Sequence, residues 1–149
     1  MTQEDKYFLI KDLCSRLPYG VVIEHVSGIR GTLHDLFVSW YYNKDDEMYK
    51  HESNTMFFGD VACDITKFKP YLVPLSSMTE EQKEELHKLW DSNMSAAMDC
   101  AIIGDELRSG LHQLTAAKKV NEWCYENHFD INGLIPMNLA LDATGLNIY

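Results

Sequence analysis

An α+β fold is what this sequence predicts, and three observations carry the prediction. Leu9, Ile10, Leu13, Cys14 and Leu17 recur at helical spacing near the start. From Val21 to Ile65 the composition turns to β-branched and aromatic residues in short runs broken by Gly, Asn and Asp. From Thr79 onward helical spacing returns, carried by Leu86, Leu89, Trp90 and Met94. The expected architecture is a small antiparallel β-meander, curled toward a partly closed SH3-like barrel, with one helix before it and two or three after it.

Each element follows from local chemistry. Thr2 and Asp5 have the spacing of a capping box, so a helix of about four turns starts there. It stops at Pro18, which lacks the donor that the helical ladder needs and biases its predecessor away from helical angles. The runs "VVIEHV", "TLHDLFVSWYY" and "TMFFGDVACDI" then read as four or five strands, separated by "SGIRG" and by "NKDDEMYKHESN". A covering helix or closure of the sheet would protect their edges. In "KPYLVPLSSMTEEQ", Pro70 and Pro74 hold the chain extended and remove two donors, which places this stretch along the outside of the sheet as a strap. Thr79 with Gln82 forms a second capping box, and Glu80 and Glu81 lie in the first turn, where the helix dipole favours negative charge. The helix that follows breaks near Asp91 to Asn93 or runs to Ile103, and Gly104 stops it. A further helix shows Leu114, Ala117, Val120 and Cys124 at matching spacing and ends near "ENHFDING". The stretch "LIPMNLALDATGLNIY" is apolar without a period, and packs down as a turn and an extended strap.

At 149 residues the chain is expected to form one compact domain, 1–149, with a helix-plus-strand region at 1–78 and a helical region at 79–149 packed on it. Apolar residues make up 46% and charged residues 24%, ordinary globular usage. The cysteines Cys14, Cys63, Cys100 and Cys124 are far apart and form no Cys-x-x-Cys pair, so they read as buried thiols in a reducing compartment. No basic-then-apolar leader and no apolar run of membrane-spanning length stands in the sequence, which points to the cytoplasm. The formal net charge is −10, with 8 Lys/Arg against 11 Asp/Glu in residues 1–75 and 5 against 12 in residues 76–149. Such a surface repels phosphate backbones and argues against general nucleic-acid binding. It suits a basic protein partner, and Glu80, Glu81, Glu84 and Glu85 are the groups best placed to steer one.

Three stretches, "MTQEDKYFLIKDLCSRLPYGV", "KFKPYLVPLSSMTEEQ" and "NHFDINGLIPMNLALDATGLNIY", together resemble an uncharacterised family of small proteins from gut Bacteroidales and their phages. The resemblance implies an origin in a phage or mobile element and brings no catalytic residues with it. Where similar sequences have glycine before "LALDA", this one has Asn138. Asparagine is among the few other residues that tolerate a positive φ, so a left-handed backbone is expected there.

The candidate chemistry is sparse. Cys124 and His128 lie four apart on the predicted helix, half of a zinc site, and the remaining ligands would have to come from His112 or Cys100. The plainer reading is a buried thiol and a helix-terminal histidine favoured by the dipole. His34 and Asp35 are adjacent in a strand and point to opposite faces. "DING" at Asp130 to Gly133 lacks the flanking ligands of a calcium loop and reads as turn chemistry, with Asp130 as a cap or Asx-turn residue. Ser76 and Ser77 have neither a nucleophile elbow nor a neighbouring glycine. No catalytic, cofactor-binding or metal-binding residue is therefore assigned. The expected role is that of a non-enzymatic accessory protein that binds a host or phage protein, inhibition of a host system included. The alternative is a small enzyme built from scattered His, Asp and Cys residues.

Overall fold

The computed structural model describes residues 1–33, 35–40, 52–58 and 61–149. The fold is α+β, with, among the described residues, one helix ahead of the strands and two between the sixth strand and the last. Helix α1 spans Gln3–Arg16 and β1 to β5 follow at Val22–His25, Arg30–Thr32, Asp35–Trp40, Glu52–Phe58 and Val61–Asp64. Strand β6 is Phe68–Leu72, helices α2 and α3 are Glu80–Ile102 and Glu106–Glu126, and β7 is Leu141–Asp142. By compactness the chain divides into two units, one of residues 1–72 with 132–149 and one of residues 73–131.

In the first unit both signals of α1 act as expected. Thr2 Oγ1 accepts from the Asp5 amide at 3.1 Å and an Asp5 carboxylate oxygen accepts from the Thr2 amide at 2.7 Å, and the helix gives way at Leu17–Tyr19 to a 3-10 turn containing Pro18. Leu9 and Leu13 enter a core with Val21, Ile23, Leu33, Ile65, Phe68, Leu72, Leu134 and Leu139. Ile10 and Leu17 pack against that core as well, so the apolar face of α1 is the buried one except at Cys14, which is exposed, and it extends to Asp12 and Arg16, which are fully buried. Arg16 grips Asp12 through Nε at 2.6 Å and Nη2 at 3.1 Å, and Asn132 Nδ2 donates to the same carboxylate at 2.8 Å. A bidentate pair with a third hydrogen bond is what lets two charges be buried together.

Strands β3, β4 and β5 form an antiparallel meander, as expected. The other sheet differs from the expectation. It is open, not curled into a barrel, has the order β2-β1-β6-β7, and is mixed, because β7 runs parallel to β6. The Pro70 end of the proline-bearing stretch is thus an interior strand of this sheet and not an outer strap, while Pro74 lies beyond the strand, ahead of a 3-10 turn. The strand's alternation explains how Pro70 is accommodated. Val26 donates to Lys67 O at 2.8 Å, so by the two-residue repeat of an antiparallel ladder Glu24 and Lys69 are also a bonded pair, and Pro70 opposite Ile23 is a non-bonded one. The donorless nitrogen faces away from β1, on the side where β7 begins one residue later, at Tyr71.

The next rung of the β1–β6 ladder, Val22 with Tyr71, is filled by a side chain. The Val22 amide donates to the Tyr149 hydroxyl at 3.2 Å, and that hydroxyl donates to Tyr71 O at 2.7 Å. Burial of the phenol pushes Tyr149 up to about 12, although the residue as a whole is about half exposed. Across the same strands the Tyr71 hydroxyl and Arg30 both bond Glu24, which holds its carboxyl below the usual range, and the Arg30 guanidinium lies 5.0 Å from the Tyr71 ring centre. The segment from Asn132 supplies turns and then β7, consistent with a packed-down strap. Asn138 has φ +58°, the left-handed backbone expected of it.

Candidate protein-binding surface on the helical hairpin

The second unit is built around α2 and α3. Thr79 caps α2 with the full box, its Oγ1 accepting from the Gln82 amide at 3.2 Å while Gln82 Oε1 accepts from the Thr79 amide at 2.9 Å. Helix α2 runs through Asp91 to Asn93 unbroken and ends at Gly104, which takes φ +78°. Gly104 and Asp105 donate to Ala101 O and Cys100 O, each at 3.0 Å, the two crossed bonds of a Schellman stop. Asp105 then caps α3 by accepting from the Arg108 amide at 3.1 Å. A reversal this tight makes the two helices antiparallel neighbours.

Small side chains line the seam between them, with Ala97, Cys100, Ser109 and Ala116 all buried. Toward the base, Leu86, Leu89 and Val120 pack on a cluster of Trp123, Cys124 and Phe129, whose rings stack 5.7 Å apart. Val73 donates to His128 O at 2.9 Å and accepts from the Asp130 amide at 2.8 Å, which ties the entry and exit of this unit together. The inner face of α3 is therefore Ser109, Ala116, Val120, Trp123 and Cys124. Leu114 and Ala117, expected on it, are exposed.

What the seam leaves outside is apolar. Leu107, Leu111 and Leu114 are 79%, 56% and 69% exposed. At about 100° per residue they fall on one line of α3, opposite the buried residues, and Lys118 continues that line. Gly110 opens a shallow groove of about 480 Å³ among them, bordered by Glu106 and Gln113. Met98, Ile102 and Ile103 at the end of α2 are each at least two-thirds exposed. Nearer the base lies a second depression of about 250 Å³, lined by Lys83, Leu86, His87, Trp90 and Val120, with Trp90 41% exposed. Beside it on α2, by helical spacing from His87, run Glu80, Glu84 and Asp91, all exposed. Lys83 bonds Glu80 at 2.6 Å and Lys88 approaches Glu84 at 3.6 Å, exposed pairs that contribute little to stability. Its own backbone amide, and after it the Thr79 hydroxyl, hold the Glu81 carboxyl below the usual range.

No protein-family model, no curated protein and no solved structure matches this chain. The surface is read from its own geometry.

The residues singled out in the sequence do not gather into a site. Helix α3 ends at Glu126, and His128, two residues on, has φ +58°, so Cys124 and His128 do not share a helical face. Cys100 is buried in the seam, and among the described residues no group of three or more His, Cys, Asp or Glu could hold a metal ion. His34 and the Asp35 side chain lie outside the described residues, as does the Cys63 side chain. Gly133 has φ +71°, as a turn glycine does, and Asp130 is buried, its amide donating to Val73 O. Ser77 Oγ donates to Pro74 O at 2.7 Å, which closes the 3-10 turn Leu75–Ser77 ahead of the cap. Among the described residues no helix is long and apolar enough to cross a membrane. The exposed leucine line, by contrast, was in plain view in the sequence. Its 107, 111, 114 spacing is as helical as that of the inner face, and only the burial of Ala116 and Ser109 decides which face points in.

Proposed function

We propose that this protein is a non-enzymatic binding protein, and that it takes a segment of a partner protein at the Trp90 depression. The observation that carries this reading is a tryptophan left 41% exposed beside an apolar hollow, with Glu80, Glu84 and Asp91 along its border. Tryptophan is among the residues that dominate binding energy where interfaces exclude water. An acidic border selects for lysine or arginine around the partner's apolar anchor and speeds the encounter. The partner class is thus a basic, apolar-anchored segment, of which an amphipathic helix is the commonest form. The resemblance to phage and Bacteroidales proteins supplies the setting, a cytoplasmic accessory protein acting on a host or phage protein, with inhibition of a host system as the outcome to assay.

The test is affinity capture from a gut Bacteroidales lysate, followed by titration of the purified partner against the parent chain and Trp90→Ala. A hot-spot tryptophan gives a loss of about 2 kcal/mol or more, near thirtyfold in Kd. A partner that binds both chains equally well sinks the assignment of the site.

A further inference from the structure

We propose that α3 also packs against the α3 of a second copy of this chain, antiparallel and centred between Gly110 and Leu111, to give a two-fold symmetric dimer. The proposal concerns a different surface from the Trp90 depression and stands apart from the reading given above.

The inner face of α3 is engaged by α2 and by the Trp123 cluster, and Leu107, Leu111 and Leu114 are left mostly exposed on the other side. Three large aliphatic side chains stand exposed on one line, and Ile103, Ile102 and Met98 across the hairpin turn are exposed as well; clustered exposed apolar residues of this kind mark interaction sites. The charges around the line say what covers it. Asp105 and Glu106 stand at its start and Lys118 at its far end. A two-fold interface must be complementary to itself, because the same patch is used by both copies. An apolar centre with opposite charges at its two ends meets that condition only when the helices run antiparallel. In a parallel pair Lys118 would face Lys118, and Glu106 would face Glu106.

Register follows from the glycine. With the axis between positions 110 and 111, Leu111 of each copy sits over Gly110 of the other, where an added Cβ would meet nothing within 4 Å and a neighbouring side chain has room to enter. Leu107 then faces Leu114. Lys118 comes level with the hairpin turn that precedes α3, where Ile103 stands, and lies two or three residues, about 3–5 Å along the axis, from Asp105 and Glu106 of the second copy. Its aliphatic stem covers Ile103 while its ammonium reaches the carboxylates. In the single chain Lys118 only approaches Glu122, at 3.6 Å, with three quarters of its side chain exposed, so little is lost when it turns to a new partner.

Sedimentation equilibrium of the full chain, up to about 100 μM, tests the proposal. The parent chain is expected to dimerise, and Leu111→Glu and Leu114→Lys each to remain monomeric with unchanged far-ultraviolet circular dichroism, both positions being more than half exposed in the single chain. Lys118→Glu and Glu106→Lys are each expected to weaken the dimer by about threefold to tenfold, since two symmetry-related pairs are lost at once, and the two together to recover most of that loss. A parent chain that stays monomeric at 100 μM overturns the proposal. So does a dimer indifferent to Leu111→Glu, and a double charge exchange that binds no better than the weaker single variant overturns the antiparallel arrangement.

Discussion

Tyr149 shows how much one side chain can hold. Its hydroxyl accepts from Val22 and donates to Tyr71, replacing a backbone rung between β1 and β6. Tyr149→Phe leaves a donor and an acceptor unmatched, and is expected to cost about 1–2 kcal/mol in denaturant unfolding. The pH dependence has a definite sign. The folded phenol is raised to about 12 from an ordinary value near 10, so the proton is held more tightly in the folded state. Its contribution is complete below about pH 10 and disappears as the pH climbs toward 12, so the stability gap between parent and Tyr149→Phe should narrow over that window. Asn138 gives a second residue-level expectation. At φ +58° its Oδ1 accepts from Lys69 Nζ, an exposed bond of small value, so Asn138→Gly should be neutral in thermal unfolding, while Asn138→Val should lose about 1–2 kcal/mol to left-handed strain. The Asp12–Arg16 pair was written in the sequence as an i,i+4 contact. What hid its burial was the assumption that the apolar residues alone define a helix's inner face.

Among elements, those fixed by neighbours in sequence were legible and those fixed by distant partners were not. Both capping boxes, the stop at Pro18 and the reversal at Gly104 depend on groups within four or five residues of one another, so they can be read from the chain alone. Thr79→Ala, which removes one such group, is expected to lower stability by about 1 kcal/mol in denaturant titration. The position of β6 depends instead on β1, over forty residues earlier, and on β7, seventy later. Proline argues against an interior strand only when its missing donor faces a partner, and Pro70 escapes because register turns it the other way. The two faces of α3 posed a similar difficulty. Leucines ordinarily mark the core, yet here alanine, serine and cysteine are inside, because a close helix seam admits only small side chains.

At the scale of the molecule, contact topology is the property that sequence reading captured least, and charge is the one that bears on a partner. The unit of residues 73–131 holds 11 acidic against 5 basic residues, more than half of the net charge of −10 in well under half of the chain. If its Trp90 depression takes a basic partner, the association rate should fall as salt shortens the screening length to about 8 Å at 0.15 M. Reversing Glu84, Glu85 and Asp91 to lysine should lower that rate further, and Glu80 and Glu81 are left in place because they support the first turn of α2. A stopped-flow rate indifferent to salt and to the reversal would leave the acid as a device for solubility. The parallel pairing of β6 with β7 carries a consequence in time. A ribosome that has finished Leu72 must add roughly 70 more residues, about 4–14 s of synthesis, before Leu141 and Asp142 arrive to pair with it. During that interval the nascent strand has one open side, where a neighbouring unfinished chain could attach. Pro70 offers no N–H on that side and Lys69 brings a charge beside it, so the proline that looked like a mark of the sheet's margin protects an interior strand while it is still waiting for its neighbour.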